Sequence, residues 1–183
     1  MHALGLRPRA PGSGCYAVSG APGGESRPLS PSAQKVQDAI ASLGLVTRVV
    51  ELPQPVRTAA DAAAAVGCDV RQIAKSIIFM TARSKRPVLV VTSGANRVNE
   101  ETLATLVGEP LERATAGFVR EQTGFAIGGI PPLGHRQRLE TFLDLDLMSL
   151  EEIWAAAGHP NALFRVTPEE LLQMSGARVV SVT

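Results

Sequence analysis

The sequence predicts an α/β (α+β) domain: a mixed, partly barrel-like β-sheet surrounded by helices. Two observations carry the expectation of mixed elements. Short apolar runs of strand length, such as 76–80 and 88–92, are interleaved with helical segments opened by Ser, Thr, Asp or Asn. Their order does not alternate strictly, which argues against a doubly wound parallel sheet. The chain has 183 residues, enough for one domain with a substantial core.

Residues 1–30 carry Pro8, Pro11, Gly12, Gly14, Gly20, Pro22, Gly23, Gly24 and Pro28 and lack apolar periodicity. Such a segment cannot offset its own ordering entropy, so a flexible tail is expected there and a folded domain over 31–183. Val36, Ile40 and Leu43 at helical spacing predict a first helix over 32–43, ended by Gly44. Residues 47–52 read as a strand closed by Pro53 and Pro55. Thr58 caps an alanine-rich helix over 59–66, stopped by Gly67. Asp69 caps a short helix over 70–74 that runs into the strand 76–80.

The polar turn 83–87 joins that strand to 88–92, giving a hairpin. Asn99 caps a helix over 100–107, and Thr115 caps another through 122. A short strand is expected at 125–127 and a further one at 139–143. Ser149, with Glu152 three residues on, predicts a capping box and a helix to 157. A strand at 162–166 follows. Thr167-Pro168-Glu169-Glu170 is a second box, with Pro at the first helical position. Gly176 ends that helix, and 178–182 is the last strand.

Charge and composition narrow the function. The 18 Lys and Arg against 17 Asp and Glu leave a net charge of +1, too little to coat nucleic acid by bulk charge. A local basic patch remains open, because Arg71, Lys75, Arg83, Lys85, Arg86 and Arg97 cluster in one region. No apolar run approaches the roughly 18 residues of a membrane span. The N-terminus shows no apolar signal segment, so a cytoplasmic location is expected. Cys15 and Cys68 match no metal spacing and read as reduced thiols.

Two segments could carry chemistry. In Gln72-Ile73-Ala74-Lys75-Ser76-Ile77-Ile78-Phe79, one lysine stands at the entrance to an apolar strand. A partly buried ammonium needs a partner, and a phosphate or ligand carboxylate would serve. Equally, Lys75 could snorkel to water or pair with Asp69. In Gly128-Gly129-Ile130-Pro131-Pro132-Leu133-Gly134-His135, the glycines let a ligand approach the main chain and the prolines stiffen it. Such a loop can aim amides at an oxyanion, or simply be a tight turn. His135 is the one histidine with a plausible site role. Asp144 and Asp146 read as a turn or a structural hydrogen-bonding pair. No nucleophile elbow, Walker loop, His-Glu-x-x-His or paired Cys-x-x-Cys occurs.

In order and spacing, these segments resemble the YbaK/ProX family of aminoacyl-tRNA deacylases, free-standing relatives of the editing domain inserted in bacterial prolyl-tRNA synthetases. The likeness spans roughly 33–183. It includes the alanine-rich helix before the lysine segment, a Gly-x-x-x-Pro loop at 128–132, and a closing pattern from Thr141-Phe142-Leu143-Asp144 to Ile153-Trp154-Ala155-Ala156-Ala157-Gly158. The resemblance implies a mixed, partly barrel-like sheet and hydrolysis of the ester on mischarged tRNA, with no metal and no organic cofactor. It gives Lys75, Gly128 and Gly129 the catalytic roles and Phe79, Phe125, Ile130, Pro131, Pro132 and His135 the substrate pocket. The implied partners are aminoacyl-tRNA, most of all tRNA(Pro) carrying a small amino acid, and prolyl-tRNA synthetase. A non-catalytic protein binding a nucleotide or small ligand in the same pocket is the alternative, and a pure protein-interaction module a third.

Overall fold

The computed structural model describes residues 28–183. The tail expected over 1–30 lies almost wholly outside the described residues. Five α-helices are described: α1 (Pro31–Ser42), α2 (Ala59–Val66), α3 (Glu100–Val107), α4 (Ala116–Thr123) and α5 (Pro168–Ser175). Eight strands form one sheet: β1 (Val49–Glu51), β2 (Ile73–Thr81), β3 (Pro87–Ser93), β4 (Leu111–Arg113), β5 (Glu140–Asp144), β6 (Ile153–Ala156), β7 (Ala162–Val166) and β8 (Arg178–Val180).

The sheet is mixed, as the sequence predicts. Its order is β1-β7-β6-β2-β3-β5-β8, with β4 joined to β2 off that path. β2 and β3 form the expected antiparallel hairpin, while β2–β6, β3–β5 and β5–β8 are parallel. The central strands are buried on both faces, so they read as continuous apolar runs. In β3, Leu89 and Val91 enter the main core with α1 and α4, while Val88 and Val90 pack on the other face beneath α3. A third cluster joins α2 (Ala62, Ala63, Val66) to Ile73, Trp154 and Leu163.

Helix ends follow their capping residues. Thr58 and Asp61 form a reciprocal box on α2, and Thr167 and Glu170 form one on α5, each satisfying amides that the first turn leaves free. Asn99 and Thr115 cap α3 and α4.

Three local expectations are corrected, and one strand, β4, was not foreseen. The segment read as a helix over 149–157 is instead a 3-10 turn, Leu145–Ser149, followed by β6. Alanine-rich Ile153–Ala156 pairs with β2 and β7, burying Ile153 and Ala155 in the main core and Trp154 beneath α2. Burial on both faces outweighs alanine's helix preference there. β4 has no apolar alternation to announce it, because Glu112 and Arg113 are exposed. Residues 125–127 form no strand. The helix expected over 70–74 stops at Gln72, so Lys75 lies inside β2 rather than at its entrance.

Candidate active site

β2 has a continuous partner only on one side. Toward β3 it pairs from Ala74 to Met80. On its other side, β6 pairs with Ile73 and Ala74, and β4 pairs from Phe79 to Thr81. Residues 75–78 therefore face an opening in the sheet. Two hollows of about 370 and 280 Å³ meet there, sharing Ser76, Gly128 and Ile130 as walls. The larger lobe is lined by Ile77, Phe79, Val98, Val119 and Ile127, with Arg97, Glu100 and Arg113. The smaller carries Lys75, Arg57 and the start of α2.

Lys75 is half-buried. Its Nζ donates to the carbonyl of Asn96 at 2.6 Å. Asn96 Nδ2 in turn donates to Asp144 at 2.8 Å and to Asp146 at 2.7 Å. Asp144 is 1% exposed and also accepts from Thr92 Oγ1 (2.7 Å) and the Ser93 amide (3.1 Å). The lysine is thus aimed by a buried carboxylate acting through Asn96. Burial pulls its ammonium below the ordinary lysine value, and the charge of Asp144 opposes that shift. Asp69 does not pair with Lys75; it is held by Arg71 at 3.0 Å.

The Gly/Pro loop crosses the opening. Gly128 has φ +95° and lines both lobes. The Gly129 amide donates to Ala126 at 3.2 Å and is spent on the turn. Gly129 also lies so close to His159 that a Cβ would sit 2.8 Å from its backbone atoms. The amides of Gly128 and Ile130 have no protein acceptor among the described residues.

The remaining sequence-derived candidates divide. Phe79 and Ile130 line the larger lobe. Phe125 is buried behind the loop, where its ring meets His135 edge-on and carries Lys35 Nζ 4.6 Å from its centroid. Pro131 is buried, and Pro132 and His135 line a separate hollow with Arg136 and Arg138. His135 Nε2 lies 2.8 Å from the Pro131 carbonyl, and burial lowers its pKa to about 4. Among the described residues no cluster of three or more His, Cys, Asp or Glu could hold a metal, and no helix is long and apolar enough to cross a membrane.

A family model for the aminoacyl-tRNA editing domain matches residues 53–174, a span that contains every wall of the cleft. The chain belongs to the aminoacyl-tRNA editing domain family. Its class of function is therefore aminoacyl-tRNA editing. A crystal structure of a proposed trans-editing enzyme for prolyl tRNA synthetase is 50% identical, with a TM-score of 0.81, over 85% of this chain and 99% of that one. The crystal structure of hypothetical protein APE2540 is 33% identical with a TM-score of 0.75, over 81% of this chain and 98% of that one. The uncharacterized protein YwhH of Bacillus subtilis (strain 168) is 29% identical over 131 residues, 72% of this chain and 83% of the relative.

The geometry adds to this editing domain Asn96, Arg57 and Arg113, which sequence reasoning missed, and gives a place to Asp144, read from the sequence as a turn or structural hydrogen-bonding residue, and to Arg97 of the basic patch. Asn96 and Asp144 position Lys75, and Arg57, Arg97 and Arg113 ring the mouth of the cleft. None of the three arginines has a carboxylate within ion-pair distance among the described residues.

Proposed function

We propose that the chain is a free-standing deacylase that edits in trans, hydrolysing the ester of a small, wrongly attached amino acid on tRNA(Pro). The observation that carries this reading is the cleft at the open side of β2, with a positioned lysine on one wall and two unpaired loop amides on another. Lys75 holds the terminal phosphate or ribose end of the substrate. The amides of Gly128 and Ile130 receive the carbonyl oxygen as it gains charge. Water adds to the carbonyl carbon, the bond from that carbon to the ribose oxygen breaks, and this oxygen leaves with a proton. The products are the free amino acid and the tRNA hydroxyl.

An aminoacyl ester is already activated, so positioning and oxyanion stabilisation suffice and no strong nucleophile is required. Phe79 and Ile130 wall the lobe that sorts the amino acid by size. Size sorting yields only about 1–3 kcal/mol per methylene, which is why a separate editing step is useful to a synthetase. Arg97 and Arg113, without an ion-pair partner among the described residues, suit the phosphates of the acceptor end. Prolyl-tRNA synthetase is the partner that would supply both the error and the tRNA.

The test is ester hydrolysis on tRNA(Pro) charged with Ala, Cys, Ser, Thr or Pro, with wild type beside Lys75→Ala. Selective release of a non-cognate residue is expected, falling about 100-fold or more in a variant that keeps its melting temperature. Absence of release from every ester, with folding intact, would favour the ligand-binding alternative.

A further inference from the structure

Hydrogen-bond parity along β2 decides which main-chain groups face the opening. The Ile73 carbonyl accepts from Gly94, and the Thr81 amide donates to Arg86, so odd-numbered residues direct their groups toward the β3 side. The register from Ala74 to Met80 is continuous, so this alternation holds throughout. On the opposite side, the Ala82 amide donates to Pro110, next to β4. The amide and carbonyl of Ser76 and the amide of Ile78 therefore point into the cleft, in the stretch between the ends of β6 and β4.

Ser76 adds a second anomaly. Its Oγ is the one buried side-chain polar atom without a hydrogen-bond partner among the described residues. An unpaired polar group hidden from water is costly and calls for an explanation. Ser76 also stands where the two lobes join. It thus brings an amide and a carbonyl, with a buried hydroxyl beside them, to a wall that both lobes share.

We infer that the aminoacyl group of the substrate docks on this edge as a single added strand residue, resting on the deacylase reading above. A strand edge offers one acceptor and one donor at the spacing of a residue's own N–H and C=O, and this is how extended peptides add to sheets. An aminoacyl ester carries the complementary pair, an α-ammonium and a carbonyl oxygen. The ammonium donates to the Ser76 carbonyl, and the ester carbonyl accepts from the amide of Ser76 or Ile78, sharing its oxygen with the Gly128 and Ile130 amides that meet it as it gains charge. A charged donor makes the stronger bond, and Glu100 is the carboxylate that lines the same lobe. The site then reads the free α-amino group, a feature common to all aminoacyl esters and missing from N-blocked ones. Side-chain sorting is left to the walls of the lobe.

Two measurements test this. The first compares hydrolysis of alanyl-tRNA(Pro) with N-acetylalanyl-tRNA(Pro), and a preference of about tenfold or more for the free amine is expected. Equal rates would overturn the inference while leaving deacylation intact. The second uses amides that cannot be hydrolysed, 3′-alanylamido-3′-deoxyadenosine and its propionyl counterpart, which lacks the amine. NMR titration should move the Ser76 and Ile78 backbone amide signals, with the alanyl compound binding several-fold tighter. If no ester is cleaved at all, the deacylase reading fails by itself, and this titration still decides the docking edge. Equal affinities with unmoved Ser76 and Ile78 signals would overturn it.

Discussion

The two ends of the Gly/Pro loop have opposite surroundings. Gly128 and Ile130 border the cleft beside the open edge of β2. Pro132 and His135 line a different hollow, and His135 turns back to meet the Pro131 carbonyl. One end presents unpaired amides, and the other locks the loop to the core through buried Phe125 and a half-buried imidazole. A run of eight residues that looks like one motif thus works as a presenting half and an anchoring half. Substitutions at the presenting end should change catalysis, and those at the anchoring end should change stability.

Gly129 is the hinge between the halves and gives the largest expected effect on stability. Its added Cβ would lie 2.8 Å from three backbone atoms of His159, which cannot swing aside as a side chain would. Gly129→Ala should cost about 1–3 kcal/mol of stability, as overpacking does, and lower deacylation with it. Gly128→Ala meets only Pro160, at 3.9 Å, and strains the backbone through its φ of +95°. Chemical denaturation of both variants checks the comparison. A greater loss at Gly128 would reverse the assignment of hinge and presenter.

The anchoring half carries a pH signature. Burial lowers the His135 pKa from 6.5 to about 4, so between those values the unfolded chain binds a proton that the folded chain does not. Stability is then fully present above about pH 6.5 and is lost as pH falls toward 4. The loss from this group should approach about 2–3 kcal/mol at the acid end. His135→Asn should flatten that part of the denaturation profile. An unchanged acid limb would show that His135 does not anchor the loop.

The sequence displayed the two halves of the site but not the opening that joins them. Lys75 stands out as a cation in an apolar run, and the Gly/Pro loop stands out by composition. The strand edge they face depends on where β6 stops and β4 begins. Those are the elements that local patterns misread: β6 through its alanines and a Ser-x-x-Glu box, β4 through its exposed charges. Asn96 and Asp144 were equally hidden as partners, because Asn96 is 21 residues from Lys75 and 48 from Asp144. The caps of α2, α3, α4 and α5 were legible because their chemistry spans three residues. Sheet edges are set by pairing across the whole chain, and no short window contains that information.

The smallest expected effect lies at the mouth of the cleft, outside both halves of the loop. Arg97 and Arg113 line the larger lobe, are exposed and lack an acidic partner within ion-pair distance among the described residues. If they meet phosphates of a single-stranded acceptor end, each contact releases condensed counterions. Arg97→Gln or Arg113→Gln should then weaken tRNA binding by a few-fold at moderate salt. Each should reduce the slope of log affinity against log salt by about 0.7, the single-strand value per phosphate. Arg138→Gln, beside His135 on the other hollow, is the internal comparison and should leave that slope alone. Equal slopes for all three variants would move the nucleic-acid path away from the β2 opening and onto another face.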